Sequence, residues 1–336
     1  MRISRSLILI LIFLSCIACS SESNNQDIED LFSPSNKVLL KPGLKVLDIG
    51  NSFTNDATAC LPLIVKELGV DIHDMCLYKA TKGGASFKDW YLVYNGQHTG
   101  TFDFRKVIGD LEANIPEGRY DTSDNSIFRK LLTEEVWDVI IIHQLSTYAT
   151  DYEVWQGHGD GGYLTELLRI IKDNQPSCTL GWLLIHSPAD NYRTNKEHSS
   201  LIRWAHTADA SRQIIQNEKL HILIPYGTAI QNLRSTKWNN EMALTREGLH
   251  LGYGLAQYTA ACCYYEALLA PRTGVSILGK YIPYFVKDDP AASLLSVTPD
   301  NFEIAQKSAV VACLNPYVCV DPDNFQIEAL NKRQSD

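Results

Sequence analysis

The 336-residue sequence contains no run rich in lysine or arginine; 30 basic residues are scattered among 39 acidic ones, for a net charge of −9. A surface that tracks phosphates needs clustered positive charge, so nucleic acids and other polyanionic partners are set aside. Charged residues amount to only 21% against 45% hydrophobic ones, which excludes a disordered chain. Beyond Cys16 and Cys19, the seven cysteines Cys60, Cys76, Cys178, Cys262, Cys263, Cys313 and Cys319 form no C-x-x-C pair and no Cys/His zinc spacing. Neither a disulfide scaffold nor a metal is therefore expected, and most of these thiols are read as ordinary core residues, with Cys313 and Cys319 a candidate pair in an oxidising compartment. No repeat is present either.

What is present begins with a targeting segment. Arg2 and Arg5 precede the apolar run Leu7 to Leu14, and Ser15-Cys16-Ile17-Ala18 follows with small residues at Ser15, Cys16 and Ala18, the layout of a secretory signal. The run is too short to span a bilayer. Cys19 directly after Ala18 resembles the lipobox of bacterial lipoproteins, in which the new N-terminal cysteine is acylated. The reading is a signal peptide over 1–18, a lipidated Cys19 that anchors the chain in the bacterial cell envelope, and a tether over 19–43 whose Ser20–Asp30 stretch is polar.

From there, strands alternate with helices. Leu44–Ile49 reads as a strand, and Leu61, Ile64, Val65 and Leu68 form a helical stripe. A strand near Asp71–Tyr78 and an aromatic segment around Phe87–Tyr94 follow, then a polar stretch, Asn95 to Ser126, that reads as surface loop. Trp137–Ile142, Leu180–Ile185 and His221–Ile224 are apolar runs suited to buried parallel strands, with helical stretches at Leu164–Ile171 and Ser199–Asn217 between them. Leu251, Leu255, Tyr258 and Cys262 mark a closing helix that ends before Pro271. The pattern predicts a three-layer α/β/α sandwich with a mainly parallel sheet over 44–271. Residues 272–336, with an extended segment near Tyr281–Val286 and a helix near Pro299–Leu314, are too few for a second core and are expected to pack on the main domain as an appendage.

In such sheets, ligands sit beyond the carboxyl ends of the strands. The first turn there is Gly50-Asn51-Ser52-Phe53-Thr54, which places Ser52 at the start of a helix, a position for a nucleophile or, more simply, for a helix cap. Thr245-Arg246-Glu247-Gly248-Leu249-His250 precedes the last helix of the domain and sets a carboxylate three residues before a histidine. Acyl transfer from serine needs an imidazole to take the Oγ proton and a carboxylate to orient that imidazole, roles that Ser52, His250 and Glu247 fill.

In these blocks the sequence resembles the SGNH, or GDSL-like, hydrolases, over roughly residues 44–270. Their serine stands in a G-D-S or G-N-S turn after strand one, and their acid-x-x-His before the final helix. The resemblance implies a flavodoxin-like fold, serine-esterase chemistry and no cofactor. It also implies an oxyanion hole to which Gly84, in Lys82-Gly83-Gly84-Ala85-Ser86 after strand two, gives its N–H and Gln144, after Ile142, its side-chain amide. Two departures stand out: Glu247 replaces the usual Asp, with Arg246 beside it as a competing ion-pair partner, and Gln144 replaces the usual Asn. The substrate class implied is small acyl esters, above all acetyl, on carbohydrate. The departures motivate the alternative of a catalytically weak, glycan-binding surface lipoprotein.

Three other features stay outside the catalytic set. His143 and His186 follow strands and are read equally as pocket-lining or as hydrogen-bonded structural histidines. The glycine-rich stretch His158–Gly162 lacks the Lys-Ser/Thr of a P-loop and is read as lacking the G-x-G-x-x-G spacing of a dinucleotide site, which leaves a solvated loop. Trp90, Trp155, Tyr91, Tyr94 and Tyr152 are weighed as a sugar-stacking platform against ordinary packing.

Overall fold

Seven strands, numbered in chain order, make the central sheet of the chain's computed structural model, which describes residues 34–190, 192, 199–239, 244–284 and 295–324. They are β1 (Leu44–Gly50), β2 (Met75–Thr81), β3 (Thr101–Gly109), β4 (Gly118–Asp121), β5 (Val139–Ile142), β6 (Thr179–Leu183) and β7 (Ile222–Ile224), in the spatial order β4-β3-β2-β1-β5-β6-β7. The five strands β2, β1, β5, β6 and β7 run parallel. Side chains of a strand alternate between faces, so a strand covered on both sides must be apolar at every position. Val139–Ile142 meets that demand in full: Val139 and Ile141 enter one core, Ile140 and Ile142 the other.

The helices divide between these two cores. On one face lie α1 (Ser52–Thr58), α2 (Leu61–Leu68), α8 (Tyr226–Arg234) and α9 (Leu255–Leu268). On the other lie α3 (Phe87–Tyr94), α4 (Ser126–Thr133), α5 (Tyr152–Gln156), α6 (Leu164–Asn174) and α7 (Ser200–Glu218). The fold is thus a three-layer α/β/α sandwich with a mainly parallel sheet. A short hairpin, β8 (Thr245–Arg246) with β9 (His250–Leu251), leads into α9, and α10 (Ala270–Thr273) follows it.

One sequence expectation changes. Residues 95–126, read as loop, contain the antiparallel pair β3–β4, which extends the sheet beyond β2. Phe102 and Phe104 alternate as a strand should and are buried. The register shifts between Leu77 and Tyr78, so Ile108 enters the core on the face opposite to Phe102 and Phe104. The bulge hides a period of two. Of the extended segment expected near Tyr281–Val286, the described part, to Tyr284, pairs through a single antiparallel bridge from Tyr284 to Val297.

Both flanks of the sandwich are docked on it. The stretch read as tether ends in a 3-10 helix, Pro34–Leu40, whose Leu39 is buried and whose Leu39 carbonyl accepts from Arg272 at 3.0 Å. Helix α11 (Phe302–Leu314) sends Ile304, Ala305 and Ala309 into the core it shares with α8 and α9. Cys313 faces Cys263 of α9 with sulfurs 3.8 Å apart, while Cys319 donates to the Gln231 carbonyl. Residues 1–18 and Cys19 lie outside the described residues, among which no helix is long and apolar enough to cross a membrane.

Candidate active site

The parallel strands stand in the order second, first, third, fourth, fifth, so the connections leave β1 in opposite directions and open a crevice at its carboxyl end. The turns after β1, β2, β5 and β6 meet there.

Gly50 ends β1 with no room for a side chain: a Cβ would lie 2.1 Å from His143 Nε2 and 2.3 Å from Thr54 Oγ1. Asn51 then caps α1, its Oδ1 accepting from Phe53 N at 2.9 Å while its Nδ2 donates to the Ala85 carbonyl at 3.0 Å. The cap is therefore Asn51, and the Ser52 hydroxyl is left for other use. It donates to His250 Nε2 at 2.8 Å, and His250 Nδ1 is hydrogen-bonded to Glu247 Oε1. This arrangement fixes the neutral imidazole as the Nδ1–H tautomer, with its bare nitrogen on the serine.

The β8–β9 turn makes the Glu247 contact possible. Glu247 and Gly248 both have left-handed backbones, φ 45° and 77°, the former a strained state for glutamate that costs on the order of 1 kcal/mol. The turn is gripped from the β6 side: Ala189 N donates to the Gly248 carbonyl at 2.8 Å, and His186 Nε2 to the Leu249 carbonyl at 2.8 Å. Arg246 does not compete for Glu247. Its guanidinium donates instead to Asp56 Oδ1 and Tyr253 OH, each at 2.5 Å, and to the Leu251 carbonyl at 2.9 Å.

Gly84 occupies the turn 82–85 in a left-handed conformation, φ 66°, and that turn is held to the serine turn by Lys82 N on the Gly50 carbonyl and by the Asn51 side chain. The backbone N–H groups of Ser52 and Gly84 make no hydrogen bond among the described residues. Gln144 departs from its expected place as an oxyanion donor. It is fully buried, its amide nitrogen donates to the Gly161 carbonyl at 2.8 Å, and its oxygen accepts from Leu145 N at 2.8 Å. The extra methylene relative to Asn carries the amide past the crevice into the 157–162 loop.

That loop spaces Gly157, Gly159 and Gly162 as a dinucleotide turn does, but it follows helix α5 rather than a strand. Gly162 is needed because a Cβ there would lie 1.9 Å from the Gly157 carbonyl. The aromatic platform is mostly dismantled: Trp90, Trp155 and Tyr152 are buried, and Tyr91 and Tyr94 remain half-buried.

Burial shapes the titrations around the site. It pushes the His143 imidazole down to about 4 and that of His186 to about 3, so both are neutral hydrogen-bonding groups near neutral pH. It drives the Asp48 carboxyl, beneath α1, up to about 7 against hydrogen bonds from Tyr264 and Thr54. Asp56 is also raised by burial, with Arg246 opposing. A cavity of about 480 Å³ opens beside Ser52, lined by Asn55, Asp56, Arg246, Glu247, His250 and Gln257. Among the described residues no cluster of three or more His, Cys, Asp or Glu side chains is placed to hold a metal ion.

Sequence reasoning missed Asp56 and the grip of His186 on the turn that carries His250. A buried-face aspartate four residues after the serine was the available signal for the first; the second pairing spans 63 residues and leaves no local trace.

The family model DUF4886, a domain of unknown function, matches residues 45–273. The chain belongs to this family. A crystal structure of a DUF4886 family protein from Bacteroides uniformis ATCC 8492 is 25% identical, covers 84% of this chain and 99% of its own, and superposes with a TM-score of 0.66. Lower likenesses are a "putative acylhydrolase" from Bacteroides fragilis NCTC 9343 (14% identity, 76% of this chain, 98% of that one, TM-score 0.37) and a gut microbial diltiazem-metabolizing enzyme (11%, 70%, 47%, 0.38). No curated protein matches this DUF4886 chain.

Proposed function

We propose that this chain is a serine hydrolase of ester bonds. The observation that carries the reading is the continuous hydrogen-bonded line from Ser52 Oγ through the His250 ring to Glu247 at the carboxyl edge of the sheet, 2.8 Å at the serine end. The SGNH-like sequence blocks support it.

Ser52 Oγ attacks the acyl carbon while His250 Nε2 takes its proton, and Glu247 stabilises the imidazolium that forms. The N–H groups of Ser52 and Gly84 receive the oxyanion, helped by the positive end of α1. His250 then protonates the departing alkoxide, leaving an acyl-serine. Water enters, gives a proton to His250 and attacks the acyl carbon; collapse of that intermediate returns the proton to Ser52 and releases the acid. Gln144 contributes by holding the turn after β5.

The cavity beside the serine is lined by amide, guanidinium and carboxylate groups and no large apolar side chain, which suits a hydroxylated alcohol better than a lipid. Small acyl esters, acetyl foremost, on carbohydrate are the proposed substrates, met by an envelope protein anchored through lipidated Cys19. The test is hydrolysis of p-nitrophenyl acetate and butyrate by the 20–336 chain beside Ser52→Ala and His250→Ala. A loss of roughly 10³-fold or more in both folded variants is expected. Equal inertness of all three folded proteins would overturn the reading in favour of a glycan-binding protein without turnover.

A further inference from the structure

We propose that Asp56 is a positioning residue for the His250 base, an inference that rests on the esterase reading above. Asp56 follows Ser52 by four residues, one turn on in the same helix, and is only 2% exposed. Its Oδ2 accepts the N–H of Leu251, the residue after His250, at 2.9 Å. Its Oδ1 accepts from Arg246, the residue before Glu247, at 2.5 Å and from Gln257 in the first turn of α9 at 2.8 Å. One carboxylate thus binds both ends of the turn that carries base and acid, and does so from the helix that carries the nucleophile. The distance between Ser52 Oγ and His250 Nε2 is set through it.

The chemistry calls for a carboxylate. Three N–H donors converge on two acceptor oxygens, and an amide at this position would present its own N–H groups to at least one of them. The guanidinium of Arg246 also needs a counter-charge at this depth, and Asp56 supplies it. The groups that face His250 are Glu247 from its own turn, Asp56 and Ser52 from α1, Arg246 from β8, and neutral His186 from the turn after β6. Removing Asp56 or removing Arg246 therefore disturbs the same turn while changing the local charge in opposite senses.

The experiment compares wild type, Asp56→Asn and Arg246→Met. With p-nitrophenyl acetate, Asp56→Asn is expected to lower kcat about 100-fold while KM stays within about threefold, the signature of a displaced base rather than lost binding. The acid limb of kcat/KM should fall by about one pH unit in Asp56→Asn, which leaves Arg246 facing the imidazolium uncompensated, and rise in Arg246→Met. A purely structural contact would slow both variants without moving the limb in opposite directions. The His250 ring titration, followed by NMR in a Ser52→Ala background, reads the same displacements without turnover. Absence of hydrolysis in wild type would therefore sink the esterase reading and leave this test in place. Should Asp56→Asn fail to fold, the upward displacement in Arg246→Met carries the test. A kcat for folded Asp56→Asn within threefold of wild type, or unmoved His250 titrations, overturns the proposal.

Discussion

Asp48→Asn is expected to change the pH dependence of stability in a direction opposite to ordinary acid denaturation. Asp48 lies fully buried on β1 beneath α1, accepts from Tyr264 OH at 3.1 Å and contacts Thr54 Oγ1 at 3.2 Å. Thr54 has one proton and two neighbours that want it, Asp48 and His143 Nε2 at 2.9 Å. With Asp48 protonated, the carboxyl donates to Thr54 and Thr54 donates to His143; with Asp48 ionised, Thr54 turns to the carboxylate and His143 Nε2 keeps only the longer bond from Asn51 N, at 3.2 Å. Burial raises the carboxyl from 3.8 to about 7. The folded protein therefore holds this proton more tightly than the unfolded chain does. Its stabilising contribution is complete below about pH 4, declines as pH rises toward 7, and is gone above it. About three pH units at about 1.4 kcal/mol each give about 4 kcal/mol, an upper figure because the native state relaxes around the charge. Asparagine keeps an acceptor for Tyr264 and an N–H for Thr54 but has no proton to release. In urea unfolding from pH 4 to 8, the stability of Asp48→Asn minus that of wild type should climb by a few kcal/mol, while the buried histidines, common to both, cancel. A difference that stays flat across that range would refute the reasoning.

Other perturbations have equally definite outcomes. Glu247→Gln should cost about 10- to 100-fold in kcat, less than the roughly 10⁴ typical of a buried triad aspartate, because the Glu247 side chain is 59% exposed and water partly replaces it; steady-state kinetics on an activated ester decide. Gly50→Ala drives a methyl against His143 and Thr54 and is expected to lose about 3 kcal/mol in chemical denaturation, with partial recovery when His143 is also truncated. On treatment with oxidised glutathione, peptide mapping should find a Cys263–Cys313 linkage rather than one between Cys313 and Cys319, since the first two sulfurs already touch.

The meeting of Ser52 with His250 and Glu247 was legible in the sequence because the serine turn directly follows the apolar strand β1, which places its next residues at the sheet's carboxyl edge, and the acid-x-x-His block directly precedes the last helix of the domain. What escaped has identifiable causes. The β3–β4 hairpin was lost because a bulge breaks the alternation after Phe104. The reach of Gln144 was misjudged because side-chain type tells which hydrogen bonds are possible but not which carbonyl stands nearby. In the Asn51-Ser52 pair, both residues are good helix caps, and only the contact of Asn51 with Ala85 shows which one caps and which one is spared. Asp56 and His186 act across 195 and 63 residues, separations over which a sequence pattern carries no pairing information.

Ser52 and His250, hydrogen-bonded to each other, are separated by 198 residues. A chain made as far as β7 therefore has Ser52 without its partner, and the proposed hydrolysis would begin only after α9 has closed over α1 and brought the β8–β9 turn to Ser52. Contacts so distant along the chain form late and slowly. If the proposed turnover is found, it is a stringent reporter of complete folding: during refolding from denaturant, secondary structure should return first and that activity last, and the interval between them measures how long the molecule exists as a finished sheet before Ser52 and His250 meet.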